Sequence, residues 1–106
     1  MKNKNQFRQG DVLVERVHKI QTGKPVPPEN GRVILAHGEA TGHAHAIAER
    51  DAALHESSPG VTALEIRSAM AALRHDEHSE IPLAQGTYAV IRQREYAPGA
   101  IRNVAD

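Results

Sequence analysis

The hydrophobic and polar positions predict β-strands in three short segments of the chain, two by alternation and one by a short apolar run. Residues 10–17 open with a Gly-Asp turn pair and contain Val12 and Val14. Residues 32–37 hold an apolar run, and residues 87–93 alternate around Tyr88 and Val90. Alternation with period two is typical of strands, and β-branched residues favour them. A turn over residues 82–86, between Pro82 and Gly86, is predicted to precede the last strand.

The middle of the chain allows two interpretations. Residues 42–56 are rich in alanine and include the segment ERDAALHE, which favours a helix on intrinsic propensity, with Thr41 as a possible N-cap. Short strands on either side, and Pro59 with Gly60 closing the segment, favour instead a hairpin arm that runs into a loop. Residues 61–67 are predicted to be extended, although residues 63–73 would also tolerate a helix.

The chain is predicted to form a single domain over residues 1–106, because 106 residues with 40% hydrophobic content suit one compact core. Residues 1–9 are polar and are expected to be flexible, and residues 21–31 hold three prolines and two glycines and are expected to form a loop. The tail, with Ile101 and Val104, is expected to close against the sheet. The predicted fold is mainly β, a small barrel or sandwich of five to six or more short strands with room for one short helix.

The charge balance, the aromatic content and the absence of cysteine exclude several classes of function for this chain. Lysine plus arginine equals aspartate plus glutamate at 13 each, and aromatic residues make up 3% of the chain. Nucleic-acid binding is therefore not expected, since neither a basic balance nor aromatic stacking surfaces are available. The chain has no cysteine, which excludes disulfides, thiol catalysis and cysteine-ligated metals. No stretch approaches a signal peptide or a membrane span, so we expect a cytoplasmic protein without a membrane partner.

Histidines concentrate in two short motifs, TGHAH and HDEH, and these predict a ligand site. Residues two apart on a strand project from one face, so His43 and His45 would present both imidazoles to one point, with Glu49 in phase on a continued strand. The second motif would supply the remaining donors. Such a set suits Zn²⁺, Fe²⁺ or Mn²⁺, or a small polar ligand. The candidate metal ligands are His43, His45, His75, His78, Glu49 and Glu77.

This prediction depends on the secondary structure. In a helix, His43 and His45 would lie about 200° apart and could not share a metal. The same histidines in a solvated strand need no ligand at all, and without metal they could act as general acid and base. Nucleophile-elbow, phosphate-loop and HExxH motifs are absent from the sequence, so whether the protein is an enzyme stays open.

A second hypothesis assigns the chain to another functional class. The polar string after the last predicted strand contains Arg92, Arg94 and Tyr96. On a sheet edge these residues would dock a protein partner, and the chain would then be a non-catalytic accessory protein of a phage or bacterium. The alternative for this string is an ordinary solvated edge.

The order of the motifs QGDVLVERV, GRVILAHGEATGHAH, HDEHSEIPLAQGTYAVIRQREY and IRNVAD resembles a family of small, uncharacterised proteins of bacteria and their phages. The resemblance spans nearly the whole chain; it implies strands around both histidine motifs and no particular activity. The spacing His-x-His-x-x-x-Glu is also loosely similar to the first metal motif of cupins. That likeness concerns ligand geometry and does not assign the fold.

Overall fold

In the part of the chain that the structure describes, seven antiparallel strands form one sheet that does not close on itself, which confirms the prediction of a mainly-β fold. The computed structural model describes residues 5–37 and 43–92. In this part of the chain no helix is long and apolar enough to cross a membrane. The strands are β1 (Gln6–Gln9), β2 (Val12–Arg16), β3 (Arg32–His37), β4 (Ala44–Ala48), β5 (Ala52–Ser58), β6 (Val61–His75) and β7 (His78–Arg92), with a 3-10 turn at Glu49–Asp51.

The two long strands β6 and β7 form the central hairpin of the sheet. The strand order is β1-β2-β7-β6-β4-β3, and β5 also pairs with β6. The first half of β6 pairs with β5, whereas its second half meets β4 at Ala46 and Arg74. The register between β6 and β7 shifts between Ile66 and Met70 and again between Leu73 and His75. Because bulges bend and twist a strand, one hairpin can serve different neighbours at its two ends.

The core lies between the buried faces of these strands and is built almost entirely from aliphatic side chains. Valines of β2 and β7, leucines of β3, β5 and β6, and Ile47 of β4 contact one another within it. Strand alternation explains which side chains are buried. In β2 the side chains of Val12 and Val14 are fully buried, whereas Leu13 between them is only partly buried. Tyr88 is the largest fully buried side chain.

The strand interpretation of the middle of the chain is confirmed, and the helical alternatives are wrong. Residues 44–48 and 52–58 are strands separated by a 3-10 turn, and residues 63–73 lie within β6. Helix propensity does not decide the structure of this segment, because β5 pairs continuously with β6. Residues 52–56 align antiparallel with residues 62–66. Pairing and burial on a shared face outweigh the few tenths of a kcal/mol by which alanine-rich segments favour a helix.

Two further expectations need correction. The predicted turn at residues 82–86 lies inside β7, and residues 6–9 of the supposedly flexible N-terminus form β1. Pro82 is tolerated because β2 pairs with β7 only from Tyr88 to Arg92, so the missing N–H costs no hydrogen bond to that neighbour. Residues 21–31 form no strand, and Pro25 and Glu29 make only isolated bridges with His55 and Arg32. The tail residues Ile101 and Val104 lie outside the described residues.

A brace between β2 and β7 holds the centre of the sheet. The Tyr88 hydroxyl donates to the Ala84 carbonyl at 2.6 Å, and the Arg16 guanidinium donates to that hydroxyl at 3.4 Å and to the Gln85 carbonyl at 2.7 Å. The guanidinium also lies 5.6 Å from the Tyr88 ring centroid. Gly86 leaves the space for it, since a Cβ there would lie 2.6 Å from Arg16 Nη2.

We predict that Tyr88→Phe lowers the free energy of unfolding by about 1–2 kcal/mol, because the Ala84 carbonyl and the guanidinium both lose a partner while the ring packing is kept. Urea denaturation measures the change. Thr87→Val, which removes a half-buried hydroxyl from the adjacent position, is the matched control and should cost less. Equal losses in the two variants would contradict a specific role for the Tyr88 hydroxyl.

The same residue predicts a response to alkaline pH. Burial raises the pKa of Tyr88 above its ordinary value of 10.0, against the opposing charge of Arg16. Because the folded-state pKa exceeds the unfolded-state pKa, stability is complete below pH 10 and falls as pH rises through the folded-state pKa. Unfolding free energies measured on either side of pH 10 should show this decline in the wild type and a smaller decline in Tyr88→Phe. An identical slope in the two proteins would rule the contribution out.

Candidate histidine site

The structure brings the two histidine motifs together into one cluster of four imidazole rings. The ring centroid of His75 lies 4.3 Å from that of His45, 4.7 Å from that of His78 and 5.8 Å from that of His43. His45 and His78 stack at 5.8 Å. We call these four residues the histidine cluster. His45 is the most deeply placed, with 5% of its surface exposed.

The cluster forms because β4 lies beside the end of the β6–β7 hairpin. Ala46 of β4 pairs with Arg74 of β6, just before the turn that carries the second motif. His75 and His78 are the closing pair of that hairpin, with Asp76 and Glu77 between them. The register shift after Leu73 is the bend that lets both histidines of the motif reach the same side.

A buried hydrogen-bond relay fixes the protonation pattern of His45. The side-chain amide of Gln9 donates to the carbonyls of Leu73 at 3.1 Å and Ser79 at 2.9 Å. Both amide hydrogens are thereby used, so the amide oxygen faces His45 Nδ1 at 2.8 Å. That oxygen can only accept, so Nδ1 must carry the hydrogen. The neutral His45 ring therefore has its lone pair on Nε2.

His75 and His43 have different surroundings. The backbone N–H of Glu77 donates to His75 Nδ1 at 3.0 Å, which places the hydrogen of a neutral His75 ring on Nε2. His43 lies between two carboxylates, with Nε2 at 3.5 Å from Asp76 and Nδ1 at 3.8 Å from Glu77. The cluster thus combines a ring oriented by Gln9, a ring that accepts a hydrogen bond from the Glu77 N–H, and a ring flanked by two carboxylates.

The side chains of the histidine cluster are not arranged with the geometry of a metal-binding site. Among residues 5–37 and 43–92, no three His, Asp or Glu side chains converge closely enough to hold an ion. Glu77 lies against the cluster, 3.8 Å from His43 Nδ1, whereas Glu49 lines another surface. Glu49 begins the 3-10 turn after β4, which ends the strand alternation, and it lines a different groove together with Pro27, Leu54 and Arg67.

The turn between β1 and β2 forms a wall of the cluster. Gly10 has φ of +59°, and a Cβ on it would lie 2.8 Å from His78 Nε2 and 3.3 Å from His45 Cε1. A glycine allows this backbone conformation and this close approach. Gln9 and Gly10 therefore complete the site, although the sequence pattern did not single them out. The only local signal is the glycine itself, at a turn preceding a strand.

The proposed partner-binding string is only partly described. Arg94 and Tyr96 lie outside the described residues. Arg92 ends β7 opposite Val12 and is half-buried, and it lines a groove with residues 56–62 at the end of the sheet opposite the hairpin turn. The histidine cluster and the Arg92 groove are therefore separate surfaces.

We predict that Gly10→Ala both strains the turn and displaces the His78 ring. The left-handed conformation costs a non-glycine residue about 1–2 kcal/mol, and the contact with His78 adds to that cost. Gly31→Ala is a matched control, because Gly31 also has a positive φ of +77° but a Cβ there would meet nothing within 4 Å. Chemical denaturation and the NMR signals of His78 should show the larger effect for Gly10→Ala. Indistinguishable variants would mean that the turn does not contact the cluster.

Comparison with known proteins identifies a family without assigning an activity. Residues 8–93 match the model described as Domain of unknown function (DUF8820). No curated protein and no solved structure matches the chain. The matched segment includes the whole histidine cluster together with Gln9 and Gly10, and it covers most of the sequence. The chain therefore belongs to the DUF8820 family of domains of unknown function.

Proposed function

We propose that this protein binds one divalent transition-metal ion at the histidine cluster, with Nε2 of His45 as the first ligand. The observation that supports this most is the relay from the carbonyls of Leu73 and Ser79 through Gln9 to His45. Metal-binding histidines commonly donate their second ring N–H to an oxygen acceptor, which orients the ring and fixes its tautomer. A histidine with only a packing role does not require an acceptor such as the Gln9 oxygen, which is itself held in place by two hydrogen bonds.

His43, His78 and the carboxylate of Glu77 are the proposed additional ligands. His78 is exposed and the His43 side chain is 26% exposed, so both rings have room to rotate about their side-chain torsions toward His45. His75 keeps its hydrogen bond from Glu77 in this scheme and packs against the ligands. Two or three imidazoles with one carboxylate form a common Zn²⁺ coordination set. Among Zn²⁺, Fe²⁺ and Mn²⁺, Zn²⁺ is the ion expected to bind nitrogen-rich ligands most tightly.

We predict that metal-free protein, produced without a histidine tag, binds one Zn²⁺ per chain and melts at higher temperature with Zn²⁺. The double variant His43→Ala and His78→Ala should lose at least 100-fold in affinity by calorimetric titration, because it removes two of the three proposed imidazole ligands. His45→Ala should abolish binding. The control is the double variant His18→Ala and His55→Ala, which removes two histidines outside the cluster.

Titration with Co²⁺ gives an independent measurement, because its visible absorption reports coordination number and nitrogen ligation. Equal affinity in the cluster and control variants would contradict the proposal. So would a wild-type protein that binds no stoichiometric Zn²⁺ or Co²⁺ after chelator treatment.

We further predict that Gln9→Leu weakens Zn²⁺ affinity about 10–100-fold while leaving every proposed ligand in place, the usual effect of removing a partner behind a metal-bound histidine. The ¹⁵N chemical shifts of His45 should show a single Nδ1–H tautomer in the wild type and a mixture in the variant. Gln6→Leu is the control, since Gln6 lies on the same strand and bonds Glu15 at the surface. Unchanged affinity together with an unchanged tautomer would show that Gln9 does not position the ring.

A further inference from the structure

A groove lies on the face of β4 opposite to His45. Between β3, β4 and β6 there is a groove of about 380 Å³, within the size range of small-molecule sites. It forms where β4 and β6 pair through a single position, Ala46 with Arg74. Strand alternation separates the two faces, because His45 projects toward the cluster while Ala44, Ala46 and Ala48 of β4 line the groove.

The floor of the groove is made of small side chains. Ala44 and Ala46 are buried beneath it and form a small apolar cluster with Ile34. Ala48 and Ala72 lie half-buried on the same floor. Because alanine side chains end at Cβ, a ligand can approach the sheet backbone closely here. A larger residue at any of these positions would fill the groove.

The walls concentrate positive charge. Arg32 of β3, Arg74 of β6 and Arg50 of the 3-10 turn line the groove, and these are three of the seven arginines in the described part of the chain. The side chains of Arg50 and Arg74 are 85% and 74% exposed. A guanidinium binds carboxylate or phosphate through parallel N–H donors, so arginines around a shallow groove favour an oxyanion.

The acidic residues near these arginines do not remove the preference of the groove for an oxyanion. Asp51, 3.9 Å from Arg50, already accepts a hydrogen bond from the Ser68 hydroxyl. Asp76 lies at the far end of the groove, 3.5 Å from His43. Arg74 pairs with Glu80 at 3.3 Å, an exposed ion pair of the kind that contributes little stability and is readily exchanged for a ligand. The lining has three arginines against two aspartates, which leaves one net positive charge.

We propose that this groove binds a small organic anion through a carboxylate or phosphate group held by Arg32, Arg50 and Arg74. The apolar floor then contacts the carbon skeleton of the ligand. The groove ends at His75 and Asp76, so the ligand lies next to the histidine cluster. The assignment rests on the arginines and the alanine floor, and it holds whether or not the cluster takes a metal.

The test uses metal-free full-length protein, titrated separately with inorganic phosphate and with succinate at constant ionic strength, and followed by backbone amide NMR shifts. Saturable shifts are expected at residues 31–32, 44–51 and 72–76. Arg32→Gln combined with Arg50→Gln should weaken the bound anion at least tenfold. The matched control, Lys24→Gln combined with Arg67→Gln, removes the same charge from elsewhere and should leave the affinity within twofold of the wild type.

A volume test accompanies the charge test. Ala72→Leu keeps every charge and should also block binding, because its side chain occupies the groove. Saturation by phosphate alone assigns a phosphate ester, and saturation by succinate alone assigns a carboxylate. Equal weakening in the two charge variants, or no saturable binding of either anion, would overturn the proposal. Zn²⁺ affinity of the Arg32 and Arg50 double variant should stay at the wild-type value, which separates this result from that of the metal proposal.

Discussion

The pairing of β6 with β7 is the constraint on which the other elements of the domain depend. These two strands of 15 residues each form the central hairpin, and β2, β4 and β5 attach to different parts of it. The register shifts along β6 let its two halves meet different partners. The far end of the hairpin carries His75 and His78, so the same pairing that encloses the core also places the second histidine motif.

The candidate site depends on one buried polar side chain. Gln9 connects the N-terminal strand to both long strands by donating to carbonyls 64 and 70 residues away in sequence, and it accepts from His45 of β4. A buried amide left without partners would cost about 1–3 kcal/mol, so all three bonds favour a single arrangement of these strands. The relay therefore serves the fold and fixes the tautomer of the central imidazole together.

Because side chains alternate along a strand, β4 presents the histidine cluster on one face and the arginine-lined groove on the other. One face carries His45 into the cluster, where imidazole nitrogens and a nearby carboxylate suit a cation. The other face carries alanines into a groove with arginines at its walls, which suits an anion. A cation at the histidine cluster and an anion in the groove would contact different side chains. Neither would therefore displace the side chains that bind the other. This arrangement is economical in a chain of 106 residues.

The sequence alone was sufficient for the fold class and for the residue types at the site. Alternating valines predict β2, the apolar run predicts β3, and the two histidine motifs supply the candidate ligands. That the two motifs meet in space was decided by the tertiary structure. Local patterns failed where partners decide the outcome. ERDAALHE has helix propensity but becomes a turn and a strand once β6 pairs with it, and Pro82 lies inside β7 because β2 does not reach that far.

The pattern of hydrophobic and polar residues determined the mainly-β class and the strands β2 and β3, because that information is local and has a fixed period. Only the tertiary structure decided that Gln9 orients His45, that Gly10 contacts His78, and that Glu49 turns away from the cluster. Those relations join residues tens of positions apart, and they follow from strand order, bulges and a turn. None of these has a periodic signature in the sequence.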